Sequence, residues 1–242
     1  MPALVTGCFA PDFPYFMLLV SHGFIGHTLP GIFIFDLPLS FIVLWLFHAY
    51  MKQPLLMLLP IGVRRRLEPG EDRYAFMPAA RLAAIAISIV IGSATHILWD
   101  SFTHSFYWPY RHWSFLREMV PVPVLGEMGM YKVLQYASTV FGIVVLAVWV
   151  LLWYRKTKPV ELPTPEPYTP AQFRVITLVT PAIAVCGGIL RALVDRGVPS
   201  MSIRPVMYFI LDTGITASTL LAIELLICGA VLVRRVAVKE PA

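Results

Sequence analysis

Five long apolar stretches, separated by shorter polar segments, dominate the pattern of this chain. They cover residues 31–51, 79–103, 133–154, 173–193 and 208–233. Each is close to the roughly 20 residues that a helix needs to cross the hydrocarbon layer of a membrane. Two further apolar stretches, 13–20 and 54–63, are too short to cross, and we interpret the second as an interfacial or re-entrant piece. The pattern predicts an all-α, polytopic membrane bundle of about five transmembrane helices with short interfacial helices.

The composition agrees with this class of protein. Hydrophobic residues make up 58% of the chain and charged residues 14%, with a mean hydropathy of +0.73. A soluble domain is far less apolar. We find no internal repeat or second soluble domain, so we predict a single integral-membrane domain over residues 1–242. The chain contains no phosphate-binding glycine loop, GxSxG elbow or dinucleotide fingerprint, and we expect no nucleic-acid partner.

The distribution of Lys and Arg predicts the orientation of the bundle. Residues 1–51 contain neither, whereas thirteen of the 19 fall on one side of the five predicted spans and six on the other. Loops with an excess of these residues stay in the cytoplasm. We therefore expect the N-terminus outside and the C-terminus inside, so that residues 1–30 share the outer face with the end of the second span.

The sequence IGSATHILWDSFTH, at residues 91–104, contains the most informative polar pattern. His96, Asp100 and His104 follow one another at intervals of four, which places them on one stripe of a helix. Ionisable groups within a membrane are costly unless they are paired or bound, so such a stripe indicates a site. Its residue types and spacing suit a divalent cation. The alternative is that neighbouring hydroxyl groups satisfy these residues and the stripe only joins helices.

Two residues of the predicted outer segment come within reach of this stripe. Asp12 lies between prolines in CFAPDFPYF, and His27 lies in GHTLPG just before the first span. Three His and two Asp would suit zinc or another borderline divalent cation. His22 is a weaker candidate.

The spacing within the stripe bears on the number of ions. His96 and His104 are eight residues apart, or about 12 Å along a helix axis, which favours two ions bridged by Asp100 over one ion. A single ion remains open if the helix unwinds near Asp100.

Other polar residues have weaker claims. Asp36 and Asp212, near the outer ends of the first and last spans, are candidates to orient ligating imidazoles, or they are ordinary helix-end carboxylates. Arg111 and His112, within WPYRHWSF, could meet a phosphate headgroup, although an aromatic belt at the membrane interface is the commoner explanation.

The ordered motifs APDFPYF, GHTLPG leading into FDLPL, HILWDSFTH and YKVLQYAS resemble an uncharacterised family of bacterial integral-membrane proteins, domain of unknown function 4184. The resemblance covers nearly the whole chain. It implies metal binding at Asp12, His27, His96, Asp100 and His104, and Gln135 falls in a motif of unstated role. Members usually carry a Ser-His segment before the Pro-Asp motif, and only eleven residues precede Asp12 here. We expect either a lost ligand or a longer natural N-terminus.

The Pro-Asp, His-Thr and H-x-x-x-D pieces also resemble, more distantly, membrane-bound metal-dependent hydrolases, which are themselves similar to zinc phospholipase C. We therefore expect a metal-dependent hydrolase of the bacterial inner membrane that acts on a lipid or lipid-linked substrate at the outer face. Asp12 and Asp100 are the expected catalytic residues, with zinc, as one or two ions, as the expected cofactor.

Three alternatives stay open. A phosphoester is the favoured bond, but Ser93 lies one turn before His96, an arrangement similar to membrane ceramidases, which cleave amides. A non-enzymatic protein that binds or transports divalent metal is the main alternative from another class; transporters more typically place their ligands at the midplane of the membrane. A purely structural stripe predicts no bound metal.

Overall fold

The computed structural model describes residues 1–19, 25–67, 76–123, 125–161, 169–200 and 202–239. Within these ranges, five helices are long and apolar enough to cross a membrane, which confirms the predicted all-α, polytopic class. These candidate spans are Leu29–Leu58, Ala79–His112, Met130–Lys156, Pro170–Arg196 and Pro205–Leu232. The last belongs to a longer helix, Ile203–Lys239. The described part of the chain contains a single small sheet.

We number the helices in chain order. They are α1 (Pro2–Phe9), α2 (Phe13–Leu18), α3 (Leu29–Leu58), α4 (Ile61–Arg64), α5 (Ala79–Thr103), α6 (Trp108–His112), α7 (Met130–Lys156), α8 (Pro170–Arg196) and α9 (Ile203–Lys239). Short 3₁₀ turns occur at Ala10–Asp12, Ile25–His27 and Ser114–Arg117. Two antiparallel strands, β1 (Met119–Val122) and β2 (Gly126–Gly129), form a hairpin in which Met119 is opposite Gly129.

The first span is longer than the sequence indicates, because it extends through part of the predicted 54–63 piece. Residues 52–58 complete α3, and Ile61–Arg64 form a separate short helix. The helix continues because its turns widen to π-helix at Ile32–Asp36 and at Phe47–Met51, shortly before Pro38 and Pro54. A proline cannot donate its backbone nitrogen and crowds the preceding turn, and a local π turn relieves both problems. The expectation of a separate interfacial or re-entrant piece over residues 54–63 is therefore wrong for residues 54–58, which belong to the first span.

Helix α1, which the apolar pattern does not predict, packs closely against α5. The two backbones meet at Gly7 and Gly92, and a Cβ atom on Gly92 would lie 2.5 Å from the Leu4 carbonyl oxygen and 2.7 Å from the Cys8 nitrogen. Ser93 reinforces the contact, since its hydroxyl donates to the Gly7 carbonyl at 3.0 Å. This packing sets where the chain leaves α1 towards Asp12.

Helix α2 is attached to the last two spans. The Thr219 hydroxyl of α9 donates to the Phe16 carbonyl at 2.9 Å, and the Arg191 guanidinium of α8 donates to the Leu19 carbonyl at 2.6 Å. Arg191 also donates to the Thr216 hydroxyl, so it joins three elements. Helices α8 and α9 themselves approach closely at Gly188, where a Cβ atom would lie 2.5 Å from the Thr213 carbonyl oxygen.

Helix α7 differs from the other spans because none of residues 130–156 is buried. A hydrogen bond from the Trp99 indole to the Ser138 hydroxyl, at 3.2 Å, joins it to α5. The main buried apolar cluster lies instead between α1, α3 and α5, and includes Ala3, Leu44 and Ile89. The compact part of the bundle is thus the part that carries the predicted metal-site residues.

Candidate metal site

The predicted ligands come from three elements that meet beside α5. Asp12 ends the 3₁₀ turn after α1, with Pro11 and Pro14 on either side, and His27 ends the turn that precedes α3. Thr28 closes that turn, since its hydroxyl donates to the Ile25 carbonyl at 2.6 Å and accepts from the Gly31 amide at 3.0 Å. The packing of α1 and the cap at the start of α3 therefore bring Asp12 and His27 towards the polar stripe of α5.

Asp12, His27 and His96 can each offer one ligand atom such that all three atoms lie within 4.8 Å of one another. The Nε2 atom of His27 is 3.3 Å from Asp12 Oδ1, and the Nε2 atom of His96 is 3.7 Å from Asp12 Oδ2. Asp100 faces both imidazoles, because its Oδ2 atom is 3.5 Å from His27 Nε2 and 3.4 Å from His96 Nε2. We call these four residues the His/Asp cluster.

His96 is oriented by the backbone of α1. Its Nδ1–H donates to the Cys8 carbonyl at 2.7 Å, which leaves Nε2 without a proton in the neutral imidazole and directs it at the cluster. The Nε2 atom is buried and forms no hydrogen bond with any residue that the structure describes. A hydrogen bond from the distal ring nitrogen to a carbonyl is how ligating histidines are usually held.

The carboxylates give the cluster a negative potential. Burial alone would lower the pKa of His27, but contacts with Asp100 and Asp12 outweigh burial and raise this pKa to about 9. The side chain of His27 is only 9% exposed, whereas that of Asp12 is 30% exposed. The cluster therefore stabilises positive charge at a buried position, with Asp12 on its more open side.

His104 contacts the same carboxylate from the other end. Its Nδ1 atom is 3.7 Å from Asp100 Oδ1, and it also lies 3.3 Å from the Asp100 carbonyl and 3.2 Å from the Thr103 hydroxyl. It is not one of the three residues whose ligand atoms converge. His96 and His104 thus meet different oxygens of Asp100, the relation that a bridging carboxylate would have.

Asp36 lies behind the cluster and is fully buried. Among the described residues, neither carboxylate oxygen has a hydrogen-bond partner, and the buried Nδ1 atom of His27 has none either. Both His27 and His96 are within electrostatic range of Asp36. A Cβ atom on Gly26 would lie 2.9 Å from Asp36 Oδ1, so the turn that carries His27 passes directly over this carboxylate.

The other predicted residues lie elsewhere. Asp212 forms an ion pair with Arg196 rather than with an imidazole, and Gln135 accepts from Lys132 at 2.7 Å. His112 donates to the Trp108 carbonyl and stacks on the Trp108 ring, as in an aromatic belt.

Three predicted residues remain, of which two lie in the described part of the chain. Arg111 belongs to the same short helix as His112, and its carbonyl accepts from Arg117. Ser93 donates to α1 as described, and His22 lies outside the described residues.

Two tyrosines near the cluster were not predicted. The ring of Tyr15 is centred 6.1 Å from the ring of His27, and the Tyr107 hydroxyl is buried without a hydrogen bond to the described part of the chain. Both lie within electrostatic range of Asp12 and Asp100. The residue types carried no signal, since aromatic residues are frequent throughout this chain; only the position of Tyr107, three residues after His104, could have suggested it.

These residues fit a divalent cation. The donor set of imidazole and carboxylate groups suits zinc, and the buried Nε2 atom of His96 faces Asp12 and Asp100 but forms no hydrogen bond within the described residues. Catalytic zinc sites commonly have three protein ligands and keep one position open.

Comparison with known proteins identifies a family but no characterised relative. No curated protein and no solved structure matches the chain. Residues 1–233 match the family described as domain of unknown function DUF4184. The chain therefore belongs to the DUF4184 family.

Proposed function

We propose that this membrane protein is a metal-dependent hydrolase, with a divalent cation, zinc as the favoured one, held by Asp12, His27 and His96. The convergence of these three ligand atoms within 4.8 Å carries the proposal. Two further observations support it: the buried Nε2 atom of His96 forms no hydrogen bond in the described part of the chain, and the potential at His27 is negative.

A divalent cation in such a site lowers the pKa of water and neutralises negative charge that develops in a hydrolytic reaction. Asp100 is suited to receive the proton of the attacking water, because its Oδ2 atom lies on the same side as both Nε2 atoms. The side chain of Asp12 is more exposed than that of His27, so Asp12 would hold the cation from the open side, where a substrate would arrive. His104 and the Oδ1 atom of Asp100 would hold a second ion.

We propose a lipid or lipid-linked substrate with a phosphoester bond. The cluster lies at the end of a helix that can span a membrane. Large apolar side chains are exposed in the segments next to its residues along the chain, including Phe9, Phe106 and Trp108. Exposed aromatic residues at this level suit the membrane interface, where a lipid headgroup could reach the cluster without leaving the bilayer. An amide bond is the less favoured alternative, because the Ser93 hydroxyl already donates a hydrogen bond to the Gly7 carbonyl of α1.

The cluster would face the outside of the bacterial inner membrane. The thirteen Lys and Arg on the opposite side support this orientation, with the N-terminus outside and the C-terminus in the cytoplasm. The orientation is tested by fusing to the C-terminus a reporter that is active only in the cytoplasm, and we expect this reporter to be active. Activity of a reporter that works only after export, fused at the same position, would contradict the orientation.

The function is tested with purified protein, depleted of metal and then reloaded with zinc, on vesicles of phosphatidylglycerol and phosphatidylethanolamine. We expect zinc-dependent release of a phosphorylated or free headgroup. The variant Asp100→Asn should lose about 100-fold or more in rate, in the range of general base catalysis, while it retains zinc.

Glu127→Gln, the same chemical change on the exposed hairpin, is the matched control and should keep its activity. Equal rates for Asp100→Asn and the wild type, or zinc-independent turnover, would contradict the proposal.

A further inference from the structure

Tyr107 occupies the junction between two helices at the edge of the His/Asp cluster. Helix α5 ends at Thr103, and His104 has an extended backbone with φ −127° and ψ 139°. The chain then turns, and Tyr107, which is also extended, directly precedes the first residue of α6. The turn brings Tyr107 back to the end of the helix that carries Asp100.

The hydroxyl of Tyr107 is buried, yet it has no hydrogen-bond partner in the described part of the chain. Its ring is covered on one side by Phe106, at 4.5 Å between ring centroids. Leaving a buried hydroxyl unsatisfied costs roughly 1–3 kcal/mol, so such groups usually have a partner. The position of this hydroxyl is best explained by a partner that binds there.

The surroundings indicate what that partner is. Asp100 and Asp12 are within electrostatic range of the hydroxyl, but the oxygens of Asp100 already face His27, His96 and His104. The phenol is therefore a donor within electrostatic range of the carboxylates that forms no hydrogen bond with them. A phenol O–H donates to an oxygen acceptor, and the acceptor that a hydrolase brings to a metal site is a substrate oxygen.

We propose that Tyr107 is a further catalytic residue, whose hydroxyl donates a hydrogen bond to a non-bridging oxygen of the substrate phosphoryl group. Such a donor strengthens its hydrogen bond as negative charge develops on that oxygen, which lowers the barrier. The inference rests on the proposed function, since it names the group of the substrate that Tyr107 contacts.

The first test compares Tyr107→Phe with Tyr110→Phe in the zinc-loaded protein, with bis(p-nitrophenyl) phosphate as the chromogenic phosphodiester. Tyr110 lies three residues later, and its ring contacts Tyr131 rather than the cluster. We expect kcat to fall about 100-fold in Tyr107→Phe and to stay unchanged in Tyr110→Phe, the magnitude seen when one such donor is removed. The zinc content should be equal in both variants and in the wild type.

The second test does not depend on turnover. Titration of inorganic phosphate into zinc-loaded protein should give a Kd at least 10-fold higher for Tyr107→Phe than for Tyr110→Phe and the wild type. The wild type could bind phosphate in a way that depends on Tyr107 and yet hydrolyse nothing. That result would refute the proposed function but keep the donor role of Tyr107.

Several results would overturn the donor role. They are equal phosphate affinity in the two variants, no phosphate binding by the wild type, and loss of zinc from Tyr107→Phe, which would make the residue structural.

Discussion

The substitution Gly92→Ala should weaken metal binding although it changes no residue of the His/Asp cluster. Its new Cβ atom would lie 2.5 Å from the Leu4 carbonyl oxygen and 2.7 Å from the Cys8 nitrogen, both of them backbone atoms of α1. Ordinary contacts begin near 3.4 Å, so α1 must move away by about 0.9 Å. The same backbone carries the carbonyl that orients His96.

The displacement is large enough to break that hydrogen bond. The Cys8 carbonyl is 2.7 Å from His96 Nδ1, and a movement of about 0.9 Å would stretch this distance beyond the limit of a hydrogen bond. Loss of such a supporting contact typically lowers metal affinity 10- to 100-fold. We expect a loss of this size, with a further contribution from the movement of Asp12 at the end of α1.

Competition for zinc with a chromogenic chelator, in detergent, measures the change. Gly142→Ala is the matched control, because nothing lies within 4 Å of the Cβ atom that it adds to α7. A zinc affinity of Gly92→Ala equal to that of the control would refute the argument that the contact between α1 and α5 positions the site.

Two further predictions concern residues around the cluster. Arg191→Ala removes the donor to the Leu19 carbonyl and should release α2 from α8. We expect the zinc affinity to fall several-fold in this variant and to recover in part in Arg191→Lys. Equal zinc affinity in the wild type and both variants would contradict this role. His104→Ala should keep one equivalent of zinc, because the converging ligand atoms do not include His104. Elemental mass spectrometry measures the zinc content, and complete loss of zinc would show that His104 is indispensable.

Contacts within one helix were the easiest to anticipate from the sequence. The interval of four between His96, Asp100 and His104 predicts neighbouring side chains on any regular helix, and the structure has both imidazoles beside the Asp100 carboxylate. The five spans followed from length and apolar composition in the same way, because a membrane imposes both. Such local rules need no knowledge of how the helices pack.

Contacts between elements could not be derived in this way. The approach of Asp12 to His96 depends on α1, an eight-residue helix too short for the length criterion, and on two glycines whose partners lie far away in the chain. The pairing of Asp212 with Arg196 joins two spans, and neither residue alone indicates its partner. Tyr107 depends on a turn between helices, where no periodic pattern exists.

The most direct test of the account is the metal content of the purified protein, measured by elemental mass spectrometry beside the double variant His96→Ala/Asp100→Ala. The account predicts about one or two equivalents of zinc or a similar divalent ion in the wild type, and loss of that metal in the variant. Wild-type protein that contains no metal and cannot be reconstituted would contradict the central claim and leave the polar stripe of α5 as a helix-packing contact.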